Sequence, residues 1–125
     1  MPRFVVLRHE TPPDAARGSH WDLMLEVGDV LRTWACSRLP RSDCTVDAWQ
    51  LADHRHAYLD YEGPVSGGRG AVTRWDAGTY VLLEERPRRW SVRLRGKRLA
   101  GRLTLTRADE ATGRWQVHWT VDAPS

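Results

Sequence analysis

Period-two alternation of apolar and polar residues recurs in several short runs of the chain, and it limits what the chain can become. Residues 20–27 show it most cleanly. Side chains on a strand point to opposite faces in turn. Trp21, Leu23, Leu25 and Val27 therefore share one face, and His20, Asp22, Met24 and Glu26 share the other. Strand-like runs also cover residues 4–8, 30–36, 71–75, 79–84, 90–94, 98–106 and 114–121. Gly28-Asp29 and Gly96-Lys97 are tight hairpin signals, and residues 108–113 suit a longer hairpin loop. Residues 43–52 alone suit a short helix, capped by Asp43 or Thr45. The pattern predicts an all-β, compact antiparallel β-barrel with functional loops and at most one short helix. A chain of 125 residues is expected to form one domain, residues 1–125.

Composition excludes several classes. Hydrophobic residues make up 41% and charged residues 28%, so the chain is neither disordered nor an ordinary membrane protein. No apolar run approaches the ~20 residues of a membrane helix. Met1-Pro2-Arg3-Phe4 leads straight into a strand with no leader-like apolar stretch, so a cytoplasmic location is expected. Cys36 and Cys44 match no zinc or redox spacing and read as two structural thiols. Lys97 is the lone lysine among 19 cations, and arginine's planar fork suits phosphate oxygens. Seven tryptophans suit a small β core, and stacking on nucleobases is the functional alternative. The turn Arg86-Pro87-Arg88-Arg89 reads as solvated, His56 as exposed and His118 as a barrel-face residue.

His20 and Asp22 sit two apart on the face turned from the apolar stripe, and His9 ends the run 4–8. Neutral imidazole with carboxylate suits Mn²⁺ or Zn²⁺, with a coordination position left for water or a phosphate oxygen. By spacing alone, a His-x-Asp pair is more often a solvated strand face.

The wider pattern is more specific. Phe4-Val5-Val6-Leu7-Arg8-His9 followed by His20-Trp21-Asp22-Leu23-Met24-Leu25-Glu26 resembles the 3′-phosphoesterase domain of bacterial DNA ligase D, which reads F-V-V-Q-x-H, then L-H-Y-D-F-R-L-E. Val30-Leu31-Arg32-Thr33-Trp34-Ala35 resembles that family's V-L-x-S-W-A-V-P-K-G. Asp53-His54 with Tyr58-Leu59-Asp60-Tyr61-Glu62-Gly63 resembles D-H-P-x-x-Y-x-x-F-E-G. Trp75-Asp76-Ala77-Gly78-Thr79-Tyr80 matches W-D-x-G-T-Y, and Leu99-Ala100-Gly101-Arg102-Leu103 stands where the family has L-x-G-x-(F/W). The resemblance implies a compact β-barrel enzyme, typically manganese-dependent, acting on DNA or RNA 3′ ends. Such enzymes remove a terminal 3′-ribonucleoside and then the remaining 3′-phosphate. By position, His9, His20 and Asp22 would be the metal ligands, and His54 and Tyr58 would contact the scissile phosphate. Arg38 lies where the family's W-A-V-P-K has its lysine and would keep a cationic phosphate clamp. Nucleic-acid 3′ ends would be the substrate, with a separate ligase or end-joining protein as a partner and no membrane.

The chain departs from the pattern at several points. Met24 stands where the family has an arginine, and a lost charge-assisted bond costs about 1.5–3 kcal/mol, or roughly tenfold to over a hundredfold in rate. Arg8, Arg32 and Arg69 are the candidates to replace it. Residues 43–51 lack the family's basic stretch and the glycine-rich loop 63–70 is shorter; the domain is expected to stand alone, without an attached ligase or polymerase domain. Three readings follow: a stand-alone phosphoesterase, a non-catalytic metal-containing module that binds nucleic-acid ends or a repair partner, and a structural barrel with an incidental trio.

Overall fold

The computed structural model describes residues 1–15 and 17–121. Nine strands form one antiparallel sheet: β1 (Arg3–Glu10), β2 (His20–Val27), β3 (Val30–Cys36), β4 (Thr45–Arg55), β5 (Gly63–Pro64), β6 (Ala71–Arg86), β7 (Arg89–Gly96), β8 (Ala100–Asp109) and β9 (Arg114–Val121). Their order is β1-β2-β3-β4-β9-β8-β7-β6-β5, and β1 also pairs with β6. Eight strands therefore close into a ring, which removes the open edges a sheet would otherwise present. The two-residue β5 hangs on the start of β6.

The short helix that residues 43–52 could have carried does not form. Thr45–Arg55 is a full strand bonded to β3 on one side and β9 on the other. Ala48, Gln50 and Leu51 suit a helix locally, but without this strand the ring would gape between β3 and β9. Backbone pairing on both sides decides the outcome. Asp43, a candidate cap, instead takes a left-handed turn with φ 59°. The runs 71–75 and 79–84 are one strand, β6, whose first part pairs with β1 and whose second part pairs with β7.

The ring is filled by Phe4, Val6, Leu23, Leu25, Val92, Leu94, Leu103 and Val117. Trp34 meets Trp90 and Trp115 edge to face, each at 5.7 Å between ring centroids, so these three tryptophans are core residues. Cys36 is buried and its thiol is pushed up to about 12 by that burial. Cys44 is exposed and free, so only Cys36 acts as a structural thiol.

The outer face of β1, β2 and β3 is not wholly polar. Val5, Leu7, Met24, Leu31, Leu59, Val65 and Val72 form a second buried cluster there. It seats a 3-10 turn, His56–Leu59, through Leu59. Glu26 clamps the same turn: its carboxylate pairs with His56 and accepts from the Arg3 backbone N–H, while the Tyr80 hydroxyl donates to its carbonyl. Arg74 adds a bond to the Leu59 carbonyl. His56 is exposed, as expected, and His118 stands on the exposed face of β9, as a barrel-face residue would. The arginine turn is ion-paired to Glu84 and Glu110 at the surface.

Candidate metal centre

Strand register brings the trio together. His9 lies directly opposite His20 across the β1–β2 pair, and Asp22 follows two residues along on the same outer face. Opposed side chains on neighbouring strands start ~5 Å apart at Cβ, so these three converge without any loop. Potential ligand atoms of His9, His20 and Asp22 all lie within 4.8 Å of one another. His9 Nδ1 is 3.4 Å from Asp22 Oδ2, and His20 Nε2 is 3.0 Å from Asp22 Oδ1. Asp22 and His20 are buried, whereas His9 is partly open.

Backbone carbonyls fix both imidazoles. His9 Nε2 donates to the Arg69 carbonyl and His20 Nδ1 to the Gly18 carbonyl, each at 2.8 Å. The nitrogens left over, Nδ1 of His9 and Nε2 of His20, then turn lone pairs toward the carboxylate. His20 Nε2 and Asp22 Oδ1 are buried without a hydrogen-bond partner. Lone pairs facing lone pairs need positive charge between them. Without a cation a shared proton supplies it. The Asp22 carboxylate raises the pKa of His9, against burial and the Arg69 guanidinium. Burial works to raise Asp22, yet His20 and His9 outweigh it and hold the carboxyl at about 2. Two neutral nitrogens and one carboxylate are the donor set of an open first-row divalent site, so the residues present fit such an ion.

Proton competition sets the pH dependence. His9 must lose its proton to bind a cation, and the Asp22 carboxylate beside it holds its pKa above the ordinary imidazole value, whereas Asp22 stays ionised. Affinity for Mn²⁺ is expected to fall about tenfold per pH unit on acidification, beginning above the ordinary imidazole range. Calorimetric titration between about pH 5.5 and 8 measures this; a flat profile would count against His9 as a ligand.

The trio opens into a cavity of about 280 Å³ lined by His9, Asp22, Met24, His54, Tyr58 and Arg69, among others. A second cavity, of about 590 Å³, meets the trio from the side of Thr11, Arg17 and Leu51. His54 reaches both through a bulge. Leu31 pairs with His54 but Thr33 pairs with Leu51, so β4 carries one extra residue there. A bulge of this kind re-aims the side chains beyond it, and it sets His54 on the same face as Leu51. His54 Nδ1 donates to the Ala52 carbonyl at 2.9 Å, which leaves Nε2 available. Tyr58, on the 3-10 turn, meets the His54 ring edge-on at 5.8 Å.

Arg38 behaves differently. It is exposed on the loop after β3 and lines neither cavity at the trio. Cations at the clefts are Arg55, Arg69 and Arg17. Beyond Tyr58, a further recess of about 240 Å³ is walled by Arg55, Tyr61, Pro64 and Ser66. Sequence reasoning named neither Arg55 nor Arg17; proximity of Arg55 to Asp53-His54 was the signal for the first.

Comparison with known proteins gives the site a context. Residues 12–107 match the DNA Ligase D 3'-phosphoesterase domain. A relative, the multifunctional non-homologous end joining protein LigD of Pseudomonas aeruginosa, is 35% identical over 118 residues. That alignment covers 86% of this chain and 13% of the relative, so the chain spans a small part of it.

Proposed function

Since the chain belongs to the DNA ligase D 3′-phosphoesterase domain family, we propose that it is a manganese-dependent phosphoesterase that trims nucleic-acid 3′ ends. It would remove a 3′-ribonucleoside and then a 3′-phosphate, as a single domain over residues 1–125. The observation that carries this reading is the His9/His20/Asp22 trio opening onto His54 and Tyr58 in one cleft.

When bound, a divalent cation neutralises charge on the phosphate's nonbridging oxygens. His9, His20 and Asp22 would hold it, and their backbone bonds keep their lone pairs aimed inward. Water attacks phosphorus; the bond to the 5′ oxygen of the ribonucleoside breaks in the first step, and the bond to the 3′ oxygen breaks in the second. In its imidazolium form, with Nδ1–H held by the Ala52 carbonyl, His54 gives the leaving oxygen the proton on Nε2 as the general acid, and the attacking water's proton passes to solvent. Tyr58 packs against that ring and offers its hydroxyl to the phosphate. Tyr58 and Tyr61, edge to face at 5.7 Å, border the recess beyond, where a base could stack. The released 3′-hydroxyl end would pass to a ligase or end-joining partner.

A labelled oligonucleotide ending in a 3′-phosphate or one 3′-ribonucleotide, incubated with Mn²⁺ and resolved by gel, tests this. Conversion to a 3′-hydroxyl is expected, with His54→Ala slower by about 10²–10³-fold at unchanged metal affinity. An unreactive end in the presence of bound manganese would contradict the enzymatic reading and favour an end-binding module.

A further inference from the structure

We propose that Arg69 is the phosphate-binding arginine of this cleft, supplying from the glycine-rich loop the guanidinium that the β2 position of Met24 lacks. The inference rests on the phosphoesterase reading above and adds the residue that recognises a terminal phosphate.

The three candidates separate by face. Arg8 lies over the Trp21 ring at 4.2 Å, on the side of the sheet turned from the trio. Arg32 pairs with Asp53 at 3.7 Å and lines a different cavity, with Arg107 and Trp115. Arg69 borders both cavities that meet at the trio.

The loop is built to hold it. Gly70 has φ +92°, and a Cβ there would stand 1.9 Å from the Glu10 carbonyl oxygen, so only glycine lets the chain pass this close to β1. The Val65 N–H closes the loop on the Gly70 carbonyl at 2.8 Å. The Arg69 carbonyl thereby reaches His9 Nε2. Its side chain is braced by Nε to the Ser66 carbonyl at 2.8 Å and Nη2 to Ser66 Oγ at 3.3 Å. Those bonds use two of a guanidinium's five N–H donors, and the rest can meet phosphate oxygens. Met24, by contrast, is sealed into the apolar floor of the same cleft. The carbonyl and the guanidinium of Arg69 thus do separate work, and substitution removes only the second.

The experiment compares binding of two short oligonucleotides, ending in 3′-phosphate or 3′-hydroxyl, to wild-type protein, Arg69→Ala and Arg69→Lys with Mn²⁺ present. Wild type is expected to prefer the phosphorylated end. Arg69→Ala should lose at least tenfold of that preference and Arg69→Lys should keep part of it, with manganese affinity, compared well above the pH at which His9 protonates, unchanged in both. Equal discrimination by wild type and Arg69→Ala would overturn the proposal, as would a wild type with no preference. Turnover by the wild type is scored separately: turnover with an unaffected Arg69→Ala leaves the phosphoesterase reading standing and removes Arg69 alone. In the Arg69→Ala background, Met24→Arg should restore the preference, because both positions face one cleft.

Discussion

Replacing Asp22 with asparagine is expected to abolish stabilisation by manganese while leaving the metal-free protein folded. The carboxylate is nearly inaccessible and stands between two imidazole rings whose N–H groups point away to the Gly18 and Arg69 carbonyls. It is the only anion of the trio. Asparagine keeps the shape, and its amide N–H can donate to one of those facing lone pairs, so the apo variant should melt within a few degrees of wild type. With the ligand charge gone, the cation has two imidazoles and no carboxylate. Wild type at ~100 times the dissociation constant gains about 2.7 kcal/mol, a shift of roughly 8–13 °C for a domain of this size. The variant should show none of it, and 3′-end processing should drop below detection. An unchanged metal-dependent shift in Asp22→Asn would remove Asp22 from the ligand set.

Asp76→Ala should cause a large loss of stability. Although it lies in the W-D-x-G-T-Y stretch that helped mark the family, its carboxylate is occupied with architecture. Oδ1 accepts from the N–H groups of Ala77 and Lys97, and Oδ2 from those of Arg98 and Leu99. These bonds gather the β7–β8 turn against β6 in a buried setting. Alanine leaves several buried donors short of a charged acceptor, at about 1–3 kcal/mol each before relaxation. Partial solvation of the turn brings the expected total to roughly 3–5 kcal/mol, or a fall in Tm of roughly 10–20 °C. Asp76→Asn should fall between, since one oxygen can accept for only part of the set. Chemical denaturation measures both; a loss under about 1 kcal/mol would refute the scaffolding role. Gly78 and Gly96 belong to the same device. A Cβ at Gly78 would meet the Arg95 carbonyl oxygen at 2.1 Å, and one at Gly96 would meet Asp76 Oδ2 at 2.3 Å.

The trio was legible because a strand's two-residue period is rigid. Once residues 20–27 form a strand, His20 and Asp22 share a face, and only pairing with β1 was needed to add His9. The same alternation gave the all-β, antiparallel class. What escaped was set by partners distant in sequence. Strand β4 carries helix-forming residues, and only pairing with β3 and β9 makes it extended. The bulge that aims His54 leaves no local signature in Ala52-Asp53. Met24 looked solvent-facing by its polar neighbours, yet Leu59 and Val65 cover that face from far along the chain. Arg38 kept the right charge near the right motif, but the loop after β3 leaves it outside the clefts. Arg69 sat in a loop whose course depends on Gly70 passing the Glu10 carbonyl, a contact no spacing reveals.

The account stands on one metal ion held by His9, His20 and Asp22. Anomalous X-ray diffraction from a manganese-soaked crystal tests that most directly. The expected result is a single strong peak within coordination distance of His9 Nδ1, His20 Nε2 and an Asp22 oxygen, lost in His20→Ala. No peak there at saturating manganese, or a peak held by other residues, would contradict it.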